Sequence, residues 1–159
     1  MSVNRVSATP EVSRRSLWAI ALIATFAIAA FWLTRPVTGA QNLSPVSGLM
    51  TLKASAQTAM PYKTAIANGK PTLIEFYADW CTTCQGMAPT LESIHQEYGP
   101  SVNFVMLNID DPQWREAIQQ FRVTGVPHLV LREGDGAIAA TFVGKVPKSV
   151  LAESLQHLL

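Results

Sequence analysis

The chain has 159 residues, a formal net charge of +1 and only 14% charged residues, which leaves room for one globular domain of roughly 100 to 120 residues plus an appendage. Arg5, Arg14, Arg15 and Arg35 face only Glu11 in the first 35 residues, whereas the remainder carries eight Lys/Arg against ten Asp/Glu. The domain is therefore slightly acidic and lacks the basic cluster that a nucleic-acid backbone requires, and with two cysteines in all it is no disulfide-rich scaffold.

The first element is the run Leu17 to Leu33, LWAIALIATFAIAAFWL, which has no charge and no strong helix breaker. As a helix it reaches roughly 25 Å, enough to span a bilayer. Trp18 and Trp32 sit near its ends, Arg14 and Arg15 precede it and Arg35 follows it, the arrangement of an interfacial belt with a positive-inside bias. A transmembrane anchor over 17–34 is expected, with 1–16 on the cytoplasmic or stromal side. A cleaved signal peptide is the competing reading, with Thr38-Gly39-Ala40 as an imperfect cleavage site and Ser13-Arg14-Arg15-Ser16-Leu17 as a faint twin-arginine pattern, but the apolar run is longer than a usual signal core. A buried core helix is disfavoured because the run is apolar on every face. Both leading readings place the domain across the membrane.

Pro36 to Leu52 has no charged residue and is rich in Gly, Ser, Thr and Pro, so 35–53 is expected to be a flexible linker and 54–159 the domain. Within it, Pro61 opens a short helix through Ala67, and Asn68-Gly69 stops it. Thr72 to Ala78 is a strand apolar on both faces except for Glu75, as a central parallel strand would be. Cys81 to Tyr98 is a helix interrupted by Pro89 and ended at Gly99-Pro100, and Val102 to Asn108 is a second buried strand. Pro112 starts a helix through Phe121. The strand His128 to Leu131 turns at Glu133-Gly134-Asp135-Gly136 into Ala137 to Val143. A last helix, Pro147 to Leu159, carries Val150, Leu151, Leu155 and Leu158 on one face.

The chemistry sits in Trp80-Cys81-Thr82-Thr83-Cys84. Any disulfide within the chain joins Cys81 to Cys84, and so short a loop contributes roughly 2 kcal/mol at most to stability. A cysteine at a helix start has its thiolate stabilised by free backbone N–H groups and the positive end of the helix dipole. Cys81 is thus the expected nucleophile, and Cys84, one turn on and more buried, the thiol that resolves a mixed disulfide. The bland alternative, half a zinc site, needs two more ligands, for which the chain offers only His95, His128 and His157, and a strand-to-helix junction is the wrong turn for it.

The stretch Glu75-Phe76-Tyr77-Ala78-Asp79-Trp80-Cys81-Thr82-Thr83-Cys84, then Pro89, then Gly125-Val126-Pro127, resembles the thioredoxin family over roughly residues 54 to 159. The resemblance implies an α/β thioredoxin fold, a central mixed sheet flanked by helices, with Val126-Pro127 as a cis peptide facing the cysteines. A trans proline opening an edge strand is the ordinary alternative. Glu75 matches the position of a buried acid that shuttles the proton of the resolving cysteine. An unpaired carboxylate in a doubly covered strand costs several kcal/mol, which favours a role over a Glu that merely reaches solvent. Thr82-Thr83, Gln85 and His128 depart from the common thioredoxin pattern, so the redox potential does not transfer. His128 is expected either to tune Cys81 or touch substrate, or simply to pack.

Within the superfamily the chain resembles the thylakoid-anchored thioredoxin-like proteins of the TxlA type, through the anchor, Asn68-Gly69-Lys70-Pro71, Val102 to Asp110, Trp114 and Gly125-Val126-Pro127-His128. That implies a membrane-tethered, lumen-facing protein-disulfide reductase with no cofactor beyond its redox-active disulfide. It implies a CcdA-type membrane thiol transporter as electron donor, and apocytochromes of cytochrome b6f assembly among the protein substrates. A DsbD-like or cytochrome c maturation reductase of a periplasm is the alternative enzyme, and a redox-inactive binding or assembly module the alternative of another class.

Overall fold

A computed structural model describes residues 45–159. The expected anchor at 17–34, the N-terminus before it and the first part of the linker lie outside the described residues. Among the described residues no helix is long and apolar enough to cross a membrane.

The elements, in chain order, are α1 (Pro45–Thr58), α2 (Tyr62–Ala67), β1 (Thr72–Tyr77), α3 (Thr82–Tyr98), β2 (Asn103–Asn108), a 3-10 turn (Pro112–Trp114) running into α4 (Arg115–Gln120), β3 (His128–Arg132), β4 (Ile138–Val143) and α5 (Lys148–Gln156). The sheet order is β2-β1-β3-β4. β1 pairs parallel with β2, in register Glu75↔Met106, and antiparallel with β3, in register Glu75↔Leu129. β1 is buried at all six positions, as its apolar pattern requires of a strand covered on both faces.

Because side chains alternate along a strand, the sheet carries two cores. Leu73, Phe104, Leu129 and Leu131 pack against α3 and α5 through Leu91, Ile94, Leu151 and Leu155. Ile74, Phe76, Val105, Leu107 and Val130 pack on the other face, against Ala65 of α2 and Ala117 and Phe121 around α4. A polar clamp fastens α2 to β2: the buried Asn103 donates to the Ala65 carbonyl at 3.1 Å and to Asn68 Oδ1 at 2.8 Å, and Asn68 donates back to Asn103 Oδ1 at 3.0 Å. The hairpin forms where expected, with Glu133 N–H donating to the Ala137 carbonyl at 2.8 Å and Gly136 at φ +103°, a conformation that favours glycine.

Three expectations are corrected. Residues 45–53 of the expected linker are helical and packed: Leu52 is fully buried, beside Cys84 and Ala88. The packing face of α1, Gly48, Leu52, Ser55 and Ala56, is made mostly of small side chains, which resemble a linker in composition. Its Gly48 serves close approach, since a Cβ there would stand 2.7 Å from the Gln85 carbonyl oxygen. Second, Pro89 lies inside an unbroken α3. It has no N–H to give the Gln85 carbonyl one turn back, and that carbonyl is the one Gly48 rests on, so the proline and the glycine fit α1 to α3 together. Third, Val150 is 37% exposed and lies off the buried face of α5, which is formed by Leu151 and Leu155.

Candidate active site

β1 ends at Tyr77, and Ala78 to Trp80 carry the chain to the start of α3. The turn is held by Cys81 N–H donating to the Ala78 carbonyl at 3.1 Å and by Gln85 Nε2 donating to the Asp79 carbonyl at 2.6 Å. Cys81 is the N-cap of α3: its backbone is extended (φ −77°, ψ 103°) and its Sγ accepts from the Cys84 N–H at 3.1 Å. A sulfur in that place meets the unpaired donors of a helix start, which favours a thiolate there.

Cys81 and Cys84 are joined as a disulfide, with Cα atoms 5.3 Å apart. Cys81 is 6% exposed and Cys84 not at all, so the two sulfurs are unequal, as the sequence order suggested. Val126-Pro127 is a cis peptide, and the Val126 carbonyl oxygen lies 3.5 Å from Cys81 Sγ. Cys84 packs with Tyr77, Ala78, Ala88 and Leu52, and Val126 closes the same cluster. Trp80 is 64% exposed beside the pair, and its indole N–H donates to Asp110 Oδ2 at 2.9 Å. Asp79 pairs with Lys53 of α1 at 3.2 Å. Among the described residues no group of three or more His, Cys, Asp or Glu stands together as a set of metal ligands.

Glu75 lies on the α3 face of β1, two residues before Tyr77. It is 4% exposed, and its Oε1 has no hydrogen-bond partner among the described residues. Its neighbours across the sheet, Met106 and Leu129, are apolar. Burial therefore pushes its carboxyl up to about 8, because a charged form without partners is disfavoured there. His128 lies on the opposite face, 3% exposed, edge-on to Phe76 at 5.9 Å, with neither ring nitrogen partnered among the described residues. Burial lowers its pKa.

The structure thus gathers Cys81, Cys84, Val126 and Pro127 at one end of β1, sets Trp80 on the rim and puts Glu75 beneath. His128 follows Pro127 in the chain, but its ring lies against Phe76 on the opposite face of the sheet from Glu75. Two contributors are not evident from the sequence: Asp110, which accepts from the Trp80 indole, and α1, whose Leu52 packs with the buried sulfur. An Asn-Ile-Asp ending to a buried strand signals the first. The spacing Gly48, Leu52, Ser55/Ala56 would signal the second. An N-cap sulfur bonded to a wholly buried sulfur one turn on can exchange electrons with an external dithiol.

Comparison with known proteins agrees. The thioredoxin family model matches residues 53–157. The chain is 40% identical over 151 residues to the thiol:disulfide interchange protein TxlA homolog of Synechocystis sp., covering 95% of this chain and 78% of that one. It is 42% identical over 123 residues to the thiol:disulfide interchange protein TxlA of Synechococcus elongatus, with 77% and 63% covered. It is 41% identical over 109 residues to the thioredoxin-like protein HCF164, chloroplastic, of Arabidopsis thaliana, of which it spans 42%. Among solved structures, the oxidized mitochondrial thioredoxin 3 of Saccharomyces cerevisiae superposes with a TM-score of 0.53 at 29% identity, over 61% of this chain and 87% of that one.

Proposed function

This chain belongs to the thioredoxin family and is a thiol-disulfide oxidoreductase, and from that premise we propose that it is a membrane-tethered reductase of protein disulfides on the far side of a thylakoid or plasma membrane. The observation that carries the chemistry is the inequality of the sulfurs: Cys81 caps α3 at 6% exposure while Cys84 is fully buried. Cys81 thiolate attacks a substrate disulfide, forming a mixed disulfide and releasing the first substrate thiol. Cys84 gives its proton to the Glu75 carboxylate and attacks Cys81 Sγ, closing the internal disulfide and releasing the second substrate thiol. The oxidised pair is the form the structure holds, and two electrons from outside return it to the dithiol. The Val126 carbonyl and the Trp80 ring flank the sulfur that meets the substrate.

Support for the tether comes from the uncharged run at 17–33 and its flanking arginines, and from a likeness to the Synechocystis relative that extends into the residues before Pro45. An exported compartment oxidises thiols by default, so a reductase there needs a transmembrane electron supply, for which a membrane thiol transporter of the CcdA type is the fitting donor. Apocytochromes of the cytochrome b6f complex are the substrates this reading favours. Relatives named as thiol:disulfide interchange proteins and as a chloroplastic thioredoxin-like protein support the disulfide chemistry and the thylakoid setting of this reading.

The test is the potential of the Cys81/Cys84 couple together with trapping by Cys84→Ser in membranes. A value near that of thioredoxin, about −270 mV, and covalent adducts of Cys84→Ser through Cys81 support the reductase. A value near that of DsbA, about −120 mV, overturns its direction. Retention of the same partners after both cysteines are replaced would make the chain a binding module instead. Glu75→Gln tests the proton acceptor: its disulfide reduction should lose the inflection near the Glu75 pKa of about 8, and an unaltered pH profile sinks the assignment.

A further inference from the structure

β2 is an outer strand of the sheet, and an outer strand presents backbone groups that no neighbouring strand takes up. Its odd-numbered residues turn inward to β1. Asn103 N–H donates to the Pro71 carbonyl at 2.8 Å, and Ile109, just past the strand, donates to the Tyr77 carbonyl at 2.9 Å. The even-numbered residues therefore turn outward. Two of their carbonyls are engaged, Phe104 by the Met60 N–H at 2.9 Å and Asn108 by the Asp111 N–H at 3.1 Å. Met106, between them, keeps an outward N–H and an outward C=O that have no partner among the described residues.

A groove runs along this edge. Beside Met106 it has a volume of about 520 Å³, walled on one side by Ala56 and Ala59 and on the other by Tyr62 of α2 and Trp114 of the 3-10 turn. The two rings stand edge to face at 5.9 Å, and Met60 at the end of the groove is 36% exposed. Past Ala56 the groove continues into a hollow of about 340 Å³ lined by Tyr77, Asn108 and Asp79, and Asp79 is two residues from Cys81. The edge of β2 is thus continuous with the face on which disulfides are exchanged. Little charge lines it, because Lys53 is paired with Asp79 and Lys63 is the only charged side chain lining the part beside Met106.

We propose that this groove holds an extended, largely apolar segment of the protein substrate, paired antiparallel with Met106 while the substrate's cysteine is joined to Cys81. This rests on the reading of the chain as a reductase of protein disulfides. An antiparallel residue opposite Met106 offers its C=O to the Met106 N–H and its N–H to the Met106 C=O, so one residue satisfies both groups. Its side chain falls on the face of the Met106 side chain, over Ala56 and Ala59, whose small size leaves room; its two neighbours fall on the other face, against Tyr62 and Trp114. α1 thereby acquires a role beyond packing, since its small residues keep the edge of the sheet open.

Direction and distance follow from the strand. β2 runs toward the dithiol end, so an antiparallel segment runs away from it, and the paired residue lies C-terminal to the attacked cysteine. Met106 to Asn108 is about 7 Å of strand. Asn108 is level with Tyr77, and the turn from Tyr77 to Cys81 spans at most about 14 Å. About six residues of extended chain cover that path. The substrates favoured are polypeptides with apolar side chains about six residues after the reactive cysteine and no proline at the paired position, where the N–H is needed.

The test uses the full chain and synthetic peptides whose single cysteine is held in a disulfide with a short cysteine peptide. One peptide carries a C-terminal extension with Phe-Val-Phe centred on the sixth residue after the cysteine. A second is truncated just after the cysteine, a third carries the extension on the N-terminal side, and a fourth is the first with the central valine N-methylated. The first peptide should be reduced with a kcat/KM at least about tenfold above that of the truncated one, and the third and fourth should match the truncated one. Ala59→Trp, which fills the groove, should bring the ratio of extended to truncated peptide toward one. A ratio within one protein cancels a general change in activity, and the peptide series stands by itself should that variant not fold. The second readout is hydrogen exchange in the mixed disulfides of Cys84→Ser: the Met106 amide should exchange at least about tenfold more slowly with the first peptide than with the truncated one. Equal rates for all four peptides and unchanged exchange overturn the groove and leave the reductase. No reduction of any peptide and no adduct through Cys81 overturn the reductase reading and the proposal with it. Slow Met106 exchange in the chain without peptide puts another occupant in the groove, a second copy if it depends on protein concentration and a segment before Pro45 if it does not, and either overturns the substrate as occupant.

Discussion

Among the described residues the two faces of the sheet each bury one titratable side chain without a hydrogen-bond partner, Glu75 on the α3 face and His128 on the face of α2 and α4. Both are under 5% exposed, and burial moves each toward its neutral form, Glu75 up and His128 down. What differs is the surroundings. Glu75 borders a cavity and shares its face with the resolving sulfur, whereas His128 is packed edge-on against Phe76. Desolvation alone does not make a functional residue; desolvation on the same face as a group that must give up a proton marks a candidate for one. The same physics gives the two faces opposite dependences on pH.

The largest expected effect lies on the Glu75 face. Its folded pKa of about 8 stands above the ordinary 4.5, so the folded chain binds more protons than the unfolded one between those values. Stability from this group is complete below about pH 4.5 and is lost as pH rises through 8. The full shift corresponds to roughly 5 kcal/mol at most. Glu75→Gln, which keeps the shape without the charge, should match the wild type near pH 4 and exceed it by several kcal/mol at pH 9. Urea denaturation of the oxidised proteins at the two pH values checks this, and parallel curves at both would break the contrast between the faces.

A smaller effect sharpens it. α1 packs over the Glu75 face, and its Gly48 rests against the Gln85 carbonyl of α3. Gly48→Val forces a side chain against the Gln85 backbone carbonyl and should destabilise the domain by about 1 to 3 kcal/mol. As α1 lifts, Glu75 gains water and its pKa should fall from about 8 toward 4.5. His128 on the other face should keep its titration. NMR titration of both side chains reads the two outcomes together, and a fall on both faces would mean that they are not independent.

These residues also show how far the sequence carries. The cis Val126-Pro127 bond was legible only through the family resemblance, whereas the burial of Glu75 and the helix start at Cys81 and Cys84 were legible from local pattern, a doubly apolar strand running into a helix. The four strands were legible for the same reason, their apolar runs being bounded by Gly, Pro and Asn signals. α1 was not, because its contact face is built from Gly, Ser and Ala around the single Leu52, and small residues that permit close packing have the composition of a linker. Nor was the effect of Pro89, whose freed carbonyl has meaning only once Gly48 is placed against it. The cavity is a property of three elements meeting, and no run of residues announces it.

The smallest expected effect belongs to His128, and it completes the contrast from the other direction. Its pKa is lowered by burial, so the folded chain binds fewer protons there than the unfolded one. Stability from this group is present above the ordinary value of 6.5 and is lost as pH falls through it, the reverse of Glu75. His128→Phe removes two unpartnered nitrogens and sets an aromatic ring against Phe76, which should stabilise the domain by about 1 kcal/mol at neutral pH. The gain should widen as the solution is made acidic, seen as a lower midpoint of acid unfolding. Disulfide reduction should be unchanged, because the ring faces away from Cys84 across the sheet. A changed potential of the Cys81/Cys84 couple in this variant would instead place His128 in the redox site, and would mean that the residue after the cis peptide acts on Cys81 through the backbone at Val126.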